Sequence, residues 1–186
     1  LEQLRARIAG ASSTRLDFER FLRISELGGG PPQGSSNGGA GAGGHAAAAP
    51  SAPEHILLGR IEEALGTLTL FDVLDQQLIR EVLSTITSGQ ALDLKRFAGA
   101  TEQNIVALGN DAELDDYTYR VAGCVGEFWT RICRRHLFPE AVLDDVTLLA
   151  NGVRFGKGLQ LVNILRDLPR DLRLGRCYLP LERLSE

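Results

Sequence analysis

From Glu54 onward apolar side chains recur every three or four residues, first at Ile56, Leu57, Ile61, Leu65 and Leu68, then at Leu74, Leu78, Ile79, Val82, Leu83 and Ile86. At roughly 100° per residue that spacing gathers them on one face of a helix. The same pattern predicts helices from Asp115 to His136, ended near Pro139, and from about Val142 to Asp167. Upstream, Arg15 to Glu26 carries Leu16, Phe18, Phe21, Leu22 and Ile24 on or near one face. No alternating run competes convincingly as a strand, so the expectation is an all-α bundle of about six or seven helices joined by short links.

One stretch breaks the pattern. Gly28 to Pro53 reads GGGPPQGSSNGGAGAGGHAAAAPSAP, where little can pack and the backbone entropy of glycine opposes ordering. It reads as a low-complexity, disordered insertion within a single domain covering residues 1–186, because helical patterns flank it on both sides. Gly39, Gly41 and Gly44 match G-x-G-x-x-G by letter. Without a strand before and a helix after, that match carries no phosphate cradle.

Composition narrows the class. The chain has 186 residues, 44% apolar and 24% charged, enough for a substantial core, and its net charge of -4 does not suit a binder that neutralises nucleic-acid phosphates. No apolar stretch approaches the ~18 residues of a membrane span. Cys124, Cys133 and Cys177 form no C-x-x-C pair and are odd in number, which argues against a disulfide framework or structural zinc and for a reducing, cytoplasmic setting. Methionine is absent and Leu1 to Ile8 reads like the interior of an amphipathic helix, so the chain is expected to be an internal fragment.

The chemistry concentrates in Gly158 to Pro180, GLQLVNILRDLPRDLRLGRCYLP. On a helix Gln160, Asn163, Asp167 and Asp171 share an arc of about 80°, with Leu161, Val162, Ile164, Leu165 and Leu168 on the other faces, so the polar stripe is expected to face inward. Asp167 and Asp171, one turn apart, repel unless a cation lies between them; their hard oxygens suit Mg²⁺, which also takes phosphate oxygens. Arg166 could add charge-assisted hydrogen bonds to the same phosphates. Charge spacing alone favours ordinary exposed ion pairs among Arg166, Asp167, Arg170 and Asp171. Pro169 is expected to kink or end the helix between the two acids.

A second segment, Leu114 to Arg131, places Asp115 or Asp116 to cap a helix with Tyr117 in its first turn. Ala122, Gly123 and Gly126 form a strip of small residues, suited to close helix approach or to an apolar ligand chain. Tyr117 and Tyr119 read by default as core or boundary aromatics whose hydroxyls find a partner.

Taken together, these segments resemble the squalene/phytoene synthase family. Tyr117 to Gly126 resembles its Y-x-x-x-V-A-G-x-V-G segment. Gln160 to Asp171 followed by Gly175 to Pro180 resembles its Q-x-x-N-x-x-R-D-x-x-x-D and G-R-x-Y-L-P signature, and Gly89 to Leu94 is similar to a third element. The likeness covers the chain apart from the insertion, with the bacterial squalene group favoured by Asp116 to Trp129.

The resemblance implies an all-α isoprenoid synthase fold that condenses two prenyl diphosphates head to head through a cyclopropyl intermediate: farnesyl diphosphate to presqualene diphosphate and squalene, or geranylgeranyl diphosphate to phytoene. It implies Mg²⁺ on Asp167 and Asp171, substrate contacts from Gln160, Asn163 and Arg166, a catalytic Tyr117, and NADPH where squalene is the product. A water-insoluble product implies possible peripheral membrane association. The family's first aspartate-rich motif, roughly D-x-x-x-D, is missing; Asp111 and Asp115 have its spacing but lie in the wrong place and read as loop and capping residues. The chain alone is therefore expected to be inactive. The alternative is a non-catalytic relative acting as an interaction or assembly factor.

Overall fold

A computed structural model describes residues 2–16 and 52–184. The chain divides into two compact units, Ser13–Leu70 and a larger one formed by Leu1–Ser12 with Phe71–Glu186. The expected helix from Arg15 to Glu26 lies outside the described residues after Leu16, as do the G-x-G-x-x-G match and the low-complexity segment up to Ser51. Ala52 and Pro53 already belong to a helix.

The smaller unit holds α2 (Ala52–Gly59), α3 (Ile61–Thr67) and a 3₁₀ turn (Leu68–Leu70). Leu16 and Leu68 are buried, and the Leu16 N–H donates to Glu62 Oε1 at 2.7 Å.

In the larger unit α1 (Glu2–Ile8) packs on α4 (Val73–Arg96), where Arg80 Nη1 donates to the Ile8 carbonyl at 2.6 Å. Next come β1 (Val106–Leu108), α5 (Asp111–Thr118), a π-helical turn (Tyr119–Gly123), α6 (Cys124–His136), α7 (Asp145–Arg173), β2 (Arg176–Pro180) and α8 (Leu181–Leu184). The all-α class holds, with two short strands that the hydrophobic pattern did not reveal. These strands pair in parallel, Val106 against Arg176 and Ala107 against Cys177, with an irregularity before Leu108 meets Pro180. Gly175 makes the entry to β2 possible: its φ is +75°, and a Cβ there would lie 2.3 Å from both N and O of Thr101.

The start of α5 corrects another expectation. Its N-cap is Asn110, whose side chain accepts from the Glu113 N–H at 3.0 Å. Asp115 and Asp116 lie inside the helix and pair instead with Lys157 and Arg120. Asp111 opens the helix and binds Arg183. Nor does α7 end at Pro169; it continues to Arg173. Proline removes one hydrogen bond, and a long helix packed on several neighbours retains the rest.

The strip of small residues brings α6 and α7 together. A Cβ on Gly126 would stand 2.0 Å from the Gly152 carbonyl oxygen, and one on Gly156 would stand 2.2 Å from the Ala122 oxygen. Beside this crossing Phe97, Ala100, Leu108, Tyr117, Ile164 and Tyr178 form the buried core. Among the described residues no helix is long and apolar enough to cross a membrane, and all three cysteines are free.

Candidate functional site

Helix α7 carries the polar stripe. Gln160, Asn163, Asp167 and Asp171 are all half-buried, while Val162 and Leu165 stand exposed on other faces. The stripe therefore lies at a rim rather than in a sealed interior. Its first two members form a network with Tyr117: Asn163 Nδ2 donates to Gln160 Oε1 at 3.3 Å, and Gln160 Nε2 donates to the Tyr117 hydroxyl at 3.2 Å. Tyr117 is 8% exposed, and its ring stacks on Tyr178 with centroids 4.4 Å apart. Burial, then the charge of Asp93, pushes its hydroxyl above the usual tyrosine range.

Two members of this network carried no assignment in the sequence reading. Tyr178, from β2, donates its hydroxyl to Asp93 Oδ2 at 3.1 Å, and Asp93 also pairs with Arg96. Burial raises the Asp93 carboxyl, against the opposing pull of Tyr178 and Arg96. The signal existed in the sequence, since Asp93 lies in Gly89 to Leu94 and Tyr178 in Gly175 to Pro180. Their meeting depends on a fold that brings α4 to β2.

The two acids of α7 differ. Arg166 grips Asp167 in a fork, Nε to Oδ1 at 2.8 Å and Nη2 to Oδ2 at 2.7 Å, and these bonds hold the Asp167 carboxyl below its ordinary value. Burial, then the charge of Asp167, raises the Asp171 carboxyl. No side-chain hydrogen bond or ion pair joins Asp171 among the described residues, although Arg176 and Arg170 act on it through space. The exposed-ion-pair reading thus describes Arg166 with Asp167 and does not extend to Asp171. Two hard carboxylates on successive turns, one of them disfavoured in its charged form by the other, suit a divalent cation that completes its shell with water and phosphate.

Next to the stripe, a groove of about 690 Å³ runs between α6 and α7. Gln160 and Asn163 stand at one end, Ala122, Gly126, Gly152 and Gly156 line its length, and Trp129, Thr130, Leu148 and Asn151 stand at the other end. Tyr117 reaches the groove by way of Gln160. Asp167 follows one helical turn after Asn163, so a charged headgroup near the acids would leave its apolar chain pointing into the groove.

A different cluster, Asp72, Asp75 and His136, brings three metal-capable side chains within 4.8 Å of one another. It is bridged internally. Arg135 pairs with Asp72 at 2.8 Å and lies 3.1 Å from Asp75, and His136 Nε2 lies 2.8 Å from Asp75.

The family described as squalene/phytoene synthase matches residues 66–186. A bifunctional lycopene cyclase/phytoene synthase of Gibberella fujikuroi is 43% identical over 76 residues, 40% of this chain and 13% of that protein. A phytoene synthase of Thermus thermophilus is 40% identical over 84 residues, covering 45% of this chain and 26% of its own length. A presqualene diphosphate synthase of Sinorhizobium fredii is 32% identical over 126 residues, 68% of this chain and 38% of its own. The chain thus spans well under half the length of these relatives. No solved structure matches it significantly.

Proposed function

The chain belongs to the squalene/phytoene synthase family, and from that premise we propose that its protein is a prenyltransferase that joins two prenyl diphosphates head to head, as the printed activities of its relatives suggest. The observation that carries this reading is the continuity of Asp167 and Asp171 with Asn163, Gln160 and Tyr117 at the polar mouth of an apolar groove.

Asp167 and Asp171 would hold Mg²⁺, which when bound neutralises the charge that builds on a departing diphosphate. Arg166, on the same turn, exchanges its carboxylate partner for a phosphate oxygen, keeping a charge-assisted fork throughout. Gln160 and Asn163 orient the headgroup, and their mutual hydrogen bond fixes which amide group faces the tyrosine. The Tyr117 hydroxyl accepts from Gln160 and so keeps its own proton free to donate. Its oxygen, bonded to Gln160 at the end of the groove, offers electron density toward the allylic cation left by ionisation. The glycine-lined crossing of α6 and α7 shields that cation from water.

A non-catalytic assembly factor would have no need of a buried tyrosine bonded to the amide of an acid-bearing helix, and this favours the enzyme. The test is product analysis of the intact protein with Mg²⁺ and either farnesyl or geranylgeranyl diphosphate, with and without NADPH. Pyrophosphate release with presqualene diphosphate, or with squalene when NADPH is added, identifies the squalene branch; phytoene identifies the other. Absence of pyrophosphate release from both substrates would leave the assembly reading in its place. Peripheral contact with a membrane that receives the apolar product belongs to the same proposal.

A further inference from the structure

The groove between α6 and α7 is apolar for only part of its length. Gln160 and Asn163 mark one end, and Thr130 and Asn151 mark the other. From Gln160 to Asn151 the axis of α7 advances roughly 14 Å, at about 1.5 Å per residue. Within that span the lining alternates between the bare backbone of Gly126, Gly152 and Gly156, where the helices touch, and the side chains of Phe155 and Leu159. Trp129 adds the largest side chain at the far end. A Cβ on Gly152 would lie 2.2 Å from Thr130 Oγ1, so Thr130 and its neighbour Trp129 sit level with Gly152 and Asn151.

Trp129 is the only tryptophan in the chain and is 58% exposed, braced edge-on against Phe128 with centroids 5.8 Å apart. An indole so exposed adds little to the core, yet it is rigid and large, well suited to limiting what enters a groove. Beyond it the Thr130 hydroxyl is already engaged with the Gly126 carbonyl at 2.8 Å, and an apolar chain pushed further would strip water from the Asn151 amide.

We propose that Trp129 is the stop that sets prenyl chain length, so that the groove takes a fifteen-carbon farnesyl tail in preference to a twenty-carbon geranylgeranyl tail. This rests on the prenyl diphosphate reading above and deepens it from a substrate class to one member of that class. With the headgroup held beyond Asn163 at Asp167 and Asp171, the tail runs toward Trp129, and one further isoprene unit meets the indole and the polar pair behind it.

The test uses the intact protein, Mg²⁺, and the farnesyl and geranylgeranyl thiolodiphosphates, whose sulfur-linked headgroups resist ionisation. Calorimetric titration of the wild type should favour the shorter analogue by about tenfold or more. Trp129→Ala should bring the ratio to unity or invert it by tightening the longer analogue, and Trp129→Phe should fall between. Because Trp129 is the sole tryptophan, its emission in the wild type should shift to the blue with the farnesyl analogue and stay unmoved with inorganic pyrophosphate. An unchanged ratio in Trp129→Ala, or a wild type that prefers the longer tail, overturns the stop while leaving the prenyl reading intact. If neither analogue binds the wild type, the prenyl reading fails and the stop fails with it.

Discussion

Two pairs of aspartates lie about one helical turn apart in the larger unit, and their surroundings are opposite. Asp72 and Asp75 stand at the start of α4, where Asp72 accepts the N–H groups of Leu74 and Asp75, and where the positive end of the helix dipole favours negative charge. Arg135 offsets what remains, and His136 Nε2 lies 2.8 Å from Asp75. Asp167 and Asp171 stand in the last turns of α7, which ends at Arg173, so the dipole opposes them; Arg166 offsets this at Asp167, while burial and the charge of Asp167 disfavour the charged form of Asp171. The first pair obeys every local rule of helix electrostatics. The second breaks them at Asp171, and such violations gather where a ligand supplies the missing charge.

That contrast can be broken by substitution. The largest expected effect is at Asp167. In the intact protein Asp167→Asn should lower Mg²⁺-dependent pyrophosphate release by about 10²–10³-fold, because it removes charge where the transition state needs it, and circular dichroism should show the fold retained. Equal turnover in the variant and the wild type would place the metal elsewhere. Asp75→Ala should do the reverse. It removes the partner of His136 and a neighbour of Arg135 in a nearly buried position, so denaturant titration should show a loss of about 2 kcal/mol with Mg²⁺ affinity unaltered.

The smallest effect sharpens the comparison most. The Asp171 carboxyl has a higher pKa folded than unfolded, so its protonation favours the folded state. That stabilisation is complete below the unfolded carboxylate range and is lost as pH rises through the folded pKa. Asn copies the protonated form. Without Mg²⁺, Asp171→Asn should therefore raise stability at neutral pH by less than about 1 kcal/mol, solvent screening setting that ceiling, and the gain should vanish in acid. A loss of stability at pH 7 in thermal melts would mean that Asp171 is held by the fold in its charged form.

The long helices were legible because α4, α6 and α7 each span several turns, long enough for the period of apolar positions to show. The strands were not. Val106–Leu108 has three residues, too few to alternate, yet Leu108 is fully buried and helps fasten the core. The cap of α5 was in view, since Asn110 precedes Glu113 by three residues, but the aspartates nearer Tyr117 drew the assignment. Of the kink or end expected at Pro169, the end is not taken, because α7 runs on to Arg173 as one long packed helix. At the site, Gln160, Asn163, Asp167 and Asp171 could be placed together from helical geometry alone. The link from Gln160 to Asp93 could not, because it passes through Tyr117 and Tyr178, and the Tyr178 bond spans 85 residues of sequence.

The central claim is that the acids of α7 act as a pair to hold a metal-bound diphosphate. Calorimetric titration of the intact protein with inorganic pyrophosphate in the presence of Mg²⁺ tests it most directly, comparing the wild type with a variant carrying both Asp167→Asn and Asp171→Asn. The account predicts Mg²⁺-dependent pyrophosphate binding in the wild type and its loss in the double variant. Binding of equal affinity in both would contradict it.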